Sequence, residues 1–262
     1  MPVQIHVNGA MFPAKKSLVE LPCAFGQLVA LVGLKISSAA PTLELERALF
    51  STGVKFIAGV DEVGRGALAG PVSVGVAIVS AETSQVPAGL RDSKQISRAA
   101  REKLIEPVSA WVVEYAIGHV AASEIDEIGI VPALRLAWVR AHQQLNIKPD
   151  HVILDGKHNW LLEPESDLFT TPISDIVVPV TMKIKADASC ASVSAASVLA
   201  KVARDELMRE AALIYPDFGW EGNVGYGSSD HMAAIVRLGP TDLHRKSWKL
   251  PSGPSESEPV TA

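Results

Sequence analysis

The chain has 262 residues, of which 48% are hydrophobic and 20% are charged, and its formal net charge is −5. These numbers allow one sizeable hydrophobic core and exclude a disordered or polybasic chain. The negative charge argues only weakly against a nucleic-acid partner, because a local cluster of lysines and arginines is sufficient for such binding. Two cysteines, Cys23 and Cys190, provide neither a disulfide framework nor a zinc-binding set. They favour a reducing compartment, and we expect a cytoplasmic location.

The first forty residues are predicted to be an extension outside the main fold. Two lysines, an apolar stretch and small residues loosely resemble a secretory signal, but Glu20 and Pro22 interrupt the apolar stretch. This stretch is also shorter than the ~20 residues that a membrane-spanning helix needs. We therefore expect no membrane partner, and the sequence leaves open whether the extension is ordered or flexible.

Residues 41–120 are predicted to form two helices and three strands. A short glycine-rich link joins the first two strands, so we expect them to be antiparallel. Ser97 is predicted to cap the second helix, and Pro107 lies near its end. In chain order, the elements are a helix at 41–50, strands at 55–60 and 72–79, a helix at 97–110 and a strand at 111–120.

Residues 123–240 are predicted to alternate between helices and strands. The first half of one long helix consists almost entirely of small residues, which would let it pack closely against a sheet. The last helix is capped by Ser228 or Ser229 and ended by Gly239 and Pro240. The elements are a helical stretch at 123–145 that is interrupted near Gly129 and Pro132, strands at 151–156 and 176–187, the long helix at 190–215 and the last helix at 228–238.

This order of strands and helices predicts an α/β architecture built on a mixed sheet. We divide the chain into an extension at 1–40, a main domain at 41–220, a small C-terminal helical region at 221–250 and a polar tail at 251–262. The composition of the tail predicts disorder. We expect a monomer.

Four acidic residues lie at the predicted ends of three strands. Asp61 and Glu62 come at the end of the first strand, Asp155 at the end of the fourth and Asp187 at the end of the fifth. Strand ends can converge at one edge of a sheet, and clustered carboxylates need a cation to neutralise them. Oxygen ligands favour Mg²⁺ or Mn²⁺, and two such ions are the known arrangement for cleaving a phosphodiester. Alternatively, each acid is a solvated turn residue; Asp-Gly at 155–156 is a common turn pair.

The segment "GRGALAG" follows the first two acids. It is no dinucleotide-binding loop, because a proline and a β-branched strand follow where a helix is required. One interpretation is a plain glycine hairpin. The other is that glycines let the backbone approach a bulky ligand, with its N–H groups and Arg65 contacting phosphate or sugar.

The whole block "GVDEVGRGALAGPV" resembles the ribonuclease HII family, whose members cut RNA in RNA–DNA hybrids and nick DNA at embedded ribonucleotides. The segments "RDSKQIS", "ILDGKHN", "KADASCASVSAASVLAKVARD" and "GYGSSDHMAAIVRLGPTDLHRKSW" resemble later blocks of that family, in order. The resemblance covers residues 41–250. It implies a ribonuclease H-like fold: a five-stranded mixed sheet flanked by helices, with a small C-terminal helical region.

The resemblance also implies the roles of individual residues. Asp61, Glu62, Asp155 and Asp187 match the acids that bind two Mg²⁺ or Mn²⁺ ions during catalysis. The loop that reads the 2′-hydroxyl in the family matches Gly64, Arg65 and Gly66. A segment that contacts phosphate matches Asp92, Ser93 and Lys94. A tyrosine that packs on the neighbouring deoxyribose matches Tyr226. The implied partners are RNA–DNA hybrids and ribonucleotide-containing duplex DNA, in ribonucleotide excision repair and DNA replication.

The sequence departs from the family pattern at three positions. Val224 replaces a usual basic residue, Ala186 a usual glycine and Ser189 a frequent lysine. The four acids are intact. We therefore expect a divalent-metal endoribonuclease that leaves 5′-phosphate and 3′-hydroxyl ends. Two alternatives stay open: a nuclease of related fold that cuts DNA junctions, and a nucleic-acid-binding protein without activity.

Overall fold

The computed structural model describes residues 40–162 and 176–252. The predicted extension, apart from Ala40, and most of the predicted tail lie outside these residues. In the described part of the chain, none of the helices has the length and apolar character that a bilayer crossing requires.

Five strands form one mixed sheet in the order β3-β2-β1-β4-β5. The three strands β1, β2 and β3 are antiparallel neighbours, whereas β4 and β5 run parallel to β1. This arrangement confirms the predicted mixed sheet and the antiparallel first pair. The strands are β1 (Phe56–Val63), β2 (Val72–Ser80), β3 (Glu114–Val120), β4 (His151–Asp155) and β5 (Val180–Lys183).

Helices flank the sheet and follow it at the C-terminal end. As the sequence predicts, the Ser97 side chain caps α2 and the Ser228 side chain caps α8, each by accepting from a backbone N–H. The helices of the described residues are α1 (Glu44–Phe50), α2 (Arg98–Trp111), α3 (Ala122–Ile128), α4 (Ile130–Gln144), α5 (Ala186–Ser189), α6 (Ala191–Ile214), α7 (Trp220–Asn223) and α8 (Ser229–Leu238).

The small residues of α6 let this helix lie almost on the backbone of the sheet. A Cβ atom added to Gly59 of β1 would stand 2.2 Å from the carbonyl carbon of Ser192 in α6. Alternate residues of β1 therefore face different helices: Ile57 packs in the core beneath α6, and Val60 packs with Trp138 of α4 on the other face. This close contact fixes α6 against the strand that carries the first acids.

A smaller core joins the C-terminal helices to the rest of the fold. Trp220 and Phe218 stack with ring centroids 5.2 Å apart and pack with Met208 of α6 and Ala69, which follows β1. The backbone of Leu68 and Ala69 also donates to the carbonyl of Gly225. The C-terminal region is thereby held against the loop between β1 and β2.

Two predicted strand ends are wrong in ways that matter for the acids. The strand β1 does not end at Val60 but continues through Asp61 and Glu62 to Val63. The strand β5 is short and ends at Lys183, so Asp187 lies in α5 rather than at a strand end. Only Asp155 ends its strand as predicted.

The third strand also begins later than predicted. Trp111 ends α2 and is buried in the core, where its indole N–H donates to the carbonyl of Ser84 over 3.0 Å. Aromatic residues are common in strands, so the sequence placed Trp111 in the third strand, but its packing in the core keeps it in α2.

Candidate active site

Asp61 and Asp155 lie side by side on neighbouring parallel strands. The register pairs Val60 with Leu154, so the next residues of the two strands occupy adjacent positions. Alternation along β1 places Asp61 on the α6 face, the face of Ile57, and Asp155 follows Ile153 of the same core. The sheet itself thus brings these two distant carboxylates together.

A short turn after β5 places Asp187 beside them. Lys185 adopts a left-handed conformation with φ of 58°, which ends the strand and starts α5. The backbone N–H of Ala186 donates to Oδ1 of Asp155 over 2.7 Å. The hydroxyl of Ser194 in α6 donates to the carbonyl of Asp187, which fixes the turn against the sheet.

Burial and neighbouring charges change the pKa values of Asp61 and Asp155. Burial, followed by the charges of Glu62 and Asp187, raises the pKa of Asp61 to about 8, although Ser197 and Lys94 act in the opposite direction. Burial and the charge of Asp187 also raise the pKa of Asp155. The negative form of the cluster is therefore costly unless a cation is present.

Lys94 supplies one positive charge at this cluster. Its Nζ atom lies 3.1 Å from Oδ2 of Asp187. Burial alone would lower the pKa of Lys94, but the carboxylates of Asp61 and Asp187 outweigh burial and raise it. A single ammonium does not neutralise three neighbouring carboxylates.

Glu62 lines the same pocket as Asp61, but its carboxylate contacts a positively charged side chain of its own. Adjacent strand residues face opposite sides of a sheet, and β1 continues past Glu62 to Val63. The carboxylate of Glu62 accepts instead from the guanidinium of Arg65 over 3.2 Å. Burial raises the pKa of Glu62, and the bond from Arg65 opposes this increase.

Over residues 40–162 and 176–252, no three His, Cys, Asp or Glu side chains meet closely enough to hold one metal ion as they stand. The chemistry of the donors nevertheless fits divalent cations. All four acids provide oxygen atoms, and burial raises the pKa of Asp61, Glu62 and Asp155. Two of these carboxylates form ion pairs within the protein: Glu62 with Arg65 and Asp187 with Lys94.

The loop after β1 forms a tight turn beside the acids. Gly64 has φ of 80°, and a Cβ atom there would lie 2.0 Å from Nε of Arg204, so only glycine fits. The N–H of Ala67 donates to the carbonyl of Gly64, which closes a four-residue turn with Arg65 and Gly66 at its centre. Gly66 differs: a Cβ atom there would meet nothing within 4 Å.

A pocket of about 450 Å³ joins this turn to the acids. Tyr226 forms part of its wall, and the N–H of Gly64 donates to its hydroxyl over 3.1 Å. Lys201 and Arg204 lie near the face of the same ring, 5.7 and 5.4 Å from its centroid. The lining residues are Asp61, Glu62, Val63, Gly64, Arg65, Gly66, Ser93, Lys94, Ser197, Lys201 and Tyr226.

Comparison with known proteins identifies the family of this chain. The sequence profile of the family described as Ribonuclease HII matches residues 58–251. A curated Ribonuclease HII from Streptomyces avermitilis is 48% identical over 209 residues, which cover 79% of this chain and 83% of that protein. The chain belongs to the ribonuclease HII family. It is an endoribonuclease of the ribonuclease H type, a hydrolase that acts on RNA–DNA substrates.

Two solved structures share the fold of this ribonuclease HII chain. The ribonuclease H2 of Pyrococcus horikoshii OT3 superposes with a TM-score of 0.57 at 28% identity, covering 74% of this chain and 94% of its own. The Bst-RNase HIII in complex with Mn²⁺ superposes with a TM-score of 0.56 at 20% identity, covering 74% and 67%. Because the sequence identity to the Bst-RNase HIII is only 20%, that superposition supports the shared fold and nothing more.

The predicted phosphate-contacting segment divides between two roles. Ser93 and Lys94 line the pocket, and the Ser93 hydroxyl lies 2.9 Å from that of Ser197. Asp92 is buried and does not line the pocket; its carboxylate caps a 3₁₀ turn by accepting from the N–H of Lys94 over 2.9 Å. Arg101 holds this segment by donating to the Ser93 carbonyl.

Two departures from the family pattern have visible local consequences. Ala186 is buried with an ordinary negative φ, so its side chain fits where the family usually has glycine. Val224 adopts the left-handed region with φ of 45°, which is strained for a β-branched residue. Its carbonyl accepts from Arg204, which helps to hold this conformation. Nothing in the structure explains the third departure, Ser189.

Sequence reasoning missed four residues of this region. Ser197 and Lys201 line the pocket, although the small residues of this helix indicated only close packing against the sheet. Arg204 and Arg245 are both fully buried and donate to backbone carbonyls. Hydropathy cannot reveal this, because a buried and an exposed arginine look the same in sequence.

Proposed function

We propose that this ribonuclease HII cleaves RNA in RNA–DNA hybrids and at single ribonucleotides in duplex DNA, with Mg²⁺ or Mn²⁺, and leaves 5′-phosphate and 3′-hydroxyl ends. The observation that carries the proposal is the shared pocket: Asp61 and Glu62 form one wall, and the turn at Gly64 with Tyr226 forms another. The complex of a related fold with Mn²⁺ supports the choice of metal.

The acids would hold the ions, and the loop would select the substrate. Asp61, Glu62, Asp155 and Asp187 provide the carboxylates. Two bound ions would activate the attacking water and stabilise the leaving 3′-oxygen. The open space above Gly66 lets a sugar approach the backbone, whose polar groups can pair with a 2′-hydroxyl. Tyr226, Lys94 and Lys201 lie where a ring and two cations can contact sugar and phosphate.

The test is cleavage of a duplex that carries one ribonucleotide, with Mg²⁺, with Mn²⁺ and with chelator. We expect a single cut in the presence of either metal and none with chelator. Asp61→Asn should reduce the rate by about 10³-fold or more, because a ligand and a charge are lost. The control is Asp242→Asn, since Asp242 is exposed and pairs only with Lys246 among the described residues.

Three results would contradict the proposal: cutting that persists in chelator, an Asp61→Asn variant with the wild-type rate, or cutting of an all-DNA junction in preference to the ribonucleotide duplex. The last result would support a junction nuclease instead. Binding to the ribonucleotide duplex without cutting under either metal would support a protein without activity.

We also propose that the protein acts as a monomer in the cytoplasm, with the domain division given by the sequence. Cys190 is a buried free thiol, which is consistent with a reducing compartment. Light scattering coupled to gel filtration tests the oligomeric state; a mass near twice the 27.8 kDa of the chain would contradict a monomer.

A further inference from the structure

Two fully buried arginines lie behind the loop that follows β1. The guanidinium of Arg245 donates to the carbonyls of Gly64, Arg65 and Gly70 over 2.6 to 3.3 Å. The guanidinium of Arg204 donates to the carbonyls of Pro71, Ala69 and Val224. The loop is therefore held from the inside by charged groups that bond to its backbone.

This arrangement is an expensive way to hold a loop. Within the described residues, neither guanidinium forms an ion pair with a carboxylate, and burial lowers the pKa of Arg245 to about 10, with Arg204 adding to the decrease. A buried charge without a counter-ion is costly, so neutral side chains would suffice if packing were the only requirement. What Arg245 adds beyond packing is a fixed direction for the carbonyls that its guanidinium bonds to.

The carbonyl direction fixes the direction of the neighbouring N–H groups. In a trans peptide the C=O and the N–H point in opposite directions, and the described chain contains no cis peptide. Since the carbonyls of Gly64 and Arg65 point inward to Arg245, the N–H groups of Arg65 and Gly66 point outward. Gly64, Arg65 and Gly66 line the pocket, whereas Arg245 does not, so these N–H groups face the pocket.

Both N–H groups are available to a ligand. No described atom accepts a hydrogen bond from the backbone nitrogen of Arg65 or Gly66, whereas the N–H of Gly64 is used by Tyr226 and that of Ala67 closes the turn. Two successive unpaired N–H groups form a small concave donor site that suits an oxygen atom.

We propose that Arg245 is the positioning residue for ribose selectivity: by holding the carbonyls of Gly64 and Arg65, it aims the N–H groups of Arg65 and Gly66 at the 2′-oxygen of the substrate. The proposal deepens the proposed function and rests on it. Arg245 touches no substrate itself and acts through the two peptide planes.

The first experiment measures affinity for two duplexes of the same sequence, one with a single ribonucleotide and one all-DNA, for wild type and Arg245→Lys. Lysine keeps the charge but cannot hold three carbonyls in the fork geometry of a guanidinium. We expect the ratio of the two affinities to fall about tenfold, mainly through weaker binding of the ribonucleotide duplex, with binding of the all-DNA duplex almost unchanged.

The matched control is Asp126→Ala. The Asp126 carboxylate accepts from the backbone N–H groups of Lys246 and Ser247 over 2.8 and 3.0 Å, so its removal loosens the same C-terminal segment and leaves the guanidinium in place. We expect this variant to lose stability and to keep the affinity ratio. An equal loss of the ratio in both variants would reduce Arg245 to a merely structural role and overturn the proposal.

A second measurement on the wild-type protein covers the case in which Arg245→Lys does not fold. The amide signals of Arg65 and Gly66 in an NMR titration should shift with the ribonucleotide duplex more than with the all-DNA duplex. Equal shifts, or a folded Arg245→Lys variant with the wild-type affinity ratio, would overturn this inference alone. A wild-type protein that binds both duplexes equally would overturn the proposed function as well.

Discussion

At the scale of single residues, two glycines of one turn have opposite requirements. Gly64 is fixed by its own protein: its φ is positive, and Arg204 occupies the space that a side chain would need. Gly66 is fixed by nothing in the protein, because its φ is ordinary and the space above it is open. The open space at Gly66 is what the proposed close approach of a substrate sugar would require.

We predict that the two alanine variants separate folding from function. Gly64→Ala should lower the free energy of unfolding by about 2 to 4 kcal/mol, because both strain and a clash are introduced. Gly66→Ala should change it by less than about 1 kcal/mol but should lower kcat/KM on a ribonucleotide duplex at least about tenfold. Urea unfolding and cleavage rates measure the two effects. A Gly66→Ala enzyme with full activity would show that the substrate does not approach this backbone.

At the scale of elements, α1 fixes the start of α6. The buried carboxylate of Glu46 in α1 accepts from the backbone N–H of Ser192 over 3.0 Å and from its hydroxyl over 2.6 Å. It thereby satisfies a free N–H in the first turn of α6. Because α6 carries Ser197 and Lys201 into the pocket, α1 supports the site from a distance.

We therefore predict that Glu46→Ala lowers the free energy of unfolding by about 1 to 3 kcal/mol, since a buried N–H and a hydroxyl lose their acceptor. Glu44→Ala is the matched control, because Glu44 lies in the same helix turn and is exposed; its effect should stay within about 0.5 kcal/mol. Thermal and urea unfolding of both variants decide the matter. Equal stability of the two would mean that α1 does not cap α6.

Sequence patterns predicted most elements correctly, and their errors have a common cause. The small-residue run of α6 and the serine caps of α2 and α8 are local signals, and the structure confirms them. The ends of β1 and β5 depend on partners elsewhere in the chain. Pairing with β2 extends β1 to Val63, where it opposes Ser73, and a left-handed Lys185 ends the last strand region early.

At the scale of the whole molecule, the sequence could identify the acids but not their exact relation. The four acids were predicted because Asp and Glu near strand ends form a recognisable pattern, and register accounts for the adjacent positions of Asp61 and Asp155. The contacts of Glu62 with Arg65 and of Asp187 with Lys94 could not be read from sequence. Neither could the burial of Arg245, which depends on how the C-terminal region meets the loop after β1.

Two buried histidines of that C-terminal region, His231 and His244, form hydrogen bonds that fix which ring nitrogen carries each proton. The N–H of Thr241 donates to Nδ1 of His244, so the His244 proton lies on Nε2 and faces Nε2 of His231 over 3.1 Å. The indole N–H of Trp220 donates to the same atom of His231, whose own proton is therefore on Nδ1 and bonds to the carbonyl of Tyr226. Both rings must be neutral for this network to exist.

We predict that protonation of this pair destabilises the whole protein in acid. Burial, with the neighbouring His231, lowers the pKa of His244 to about 4 in the folded protein, against the ordinary value of 6.5. Since the folded pKa lies below the unfolded one, this stabilising effect is complete above about pH 6.5 and is lost as the pH falls towards 4. His244→Gln removes this titration, so the difference in unfolding free energy between wild type and variant should shrink by about 1 kcal/mol or more between pH 7 and pH 4.5. Urea unfolding of both proteins without metal, at intervals of half a pH unit, measures this difference. If the unfolding free energies of the two proteins fall in parallel with pH, the histidine pair does not control acid stability.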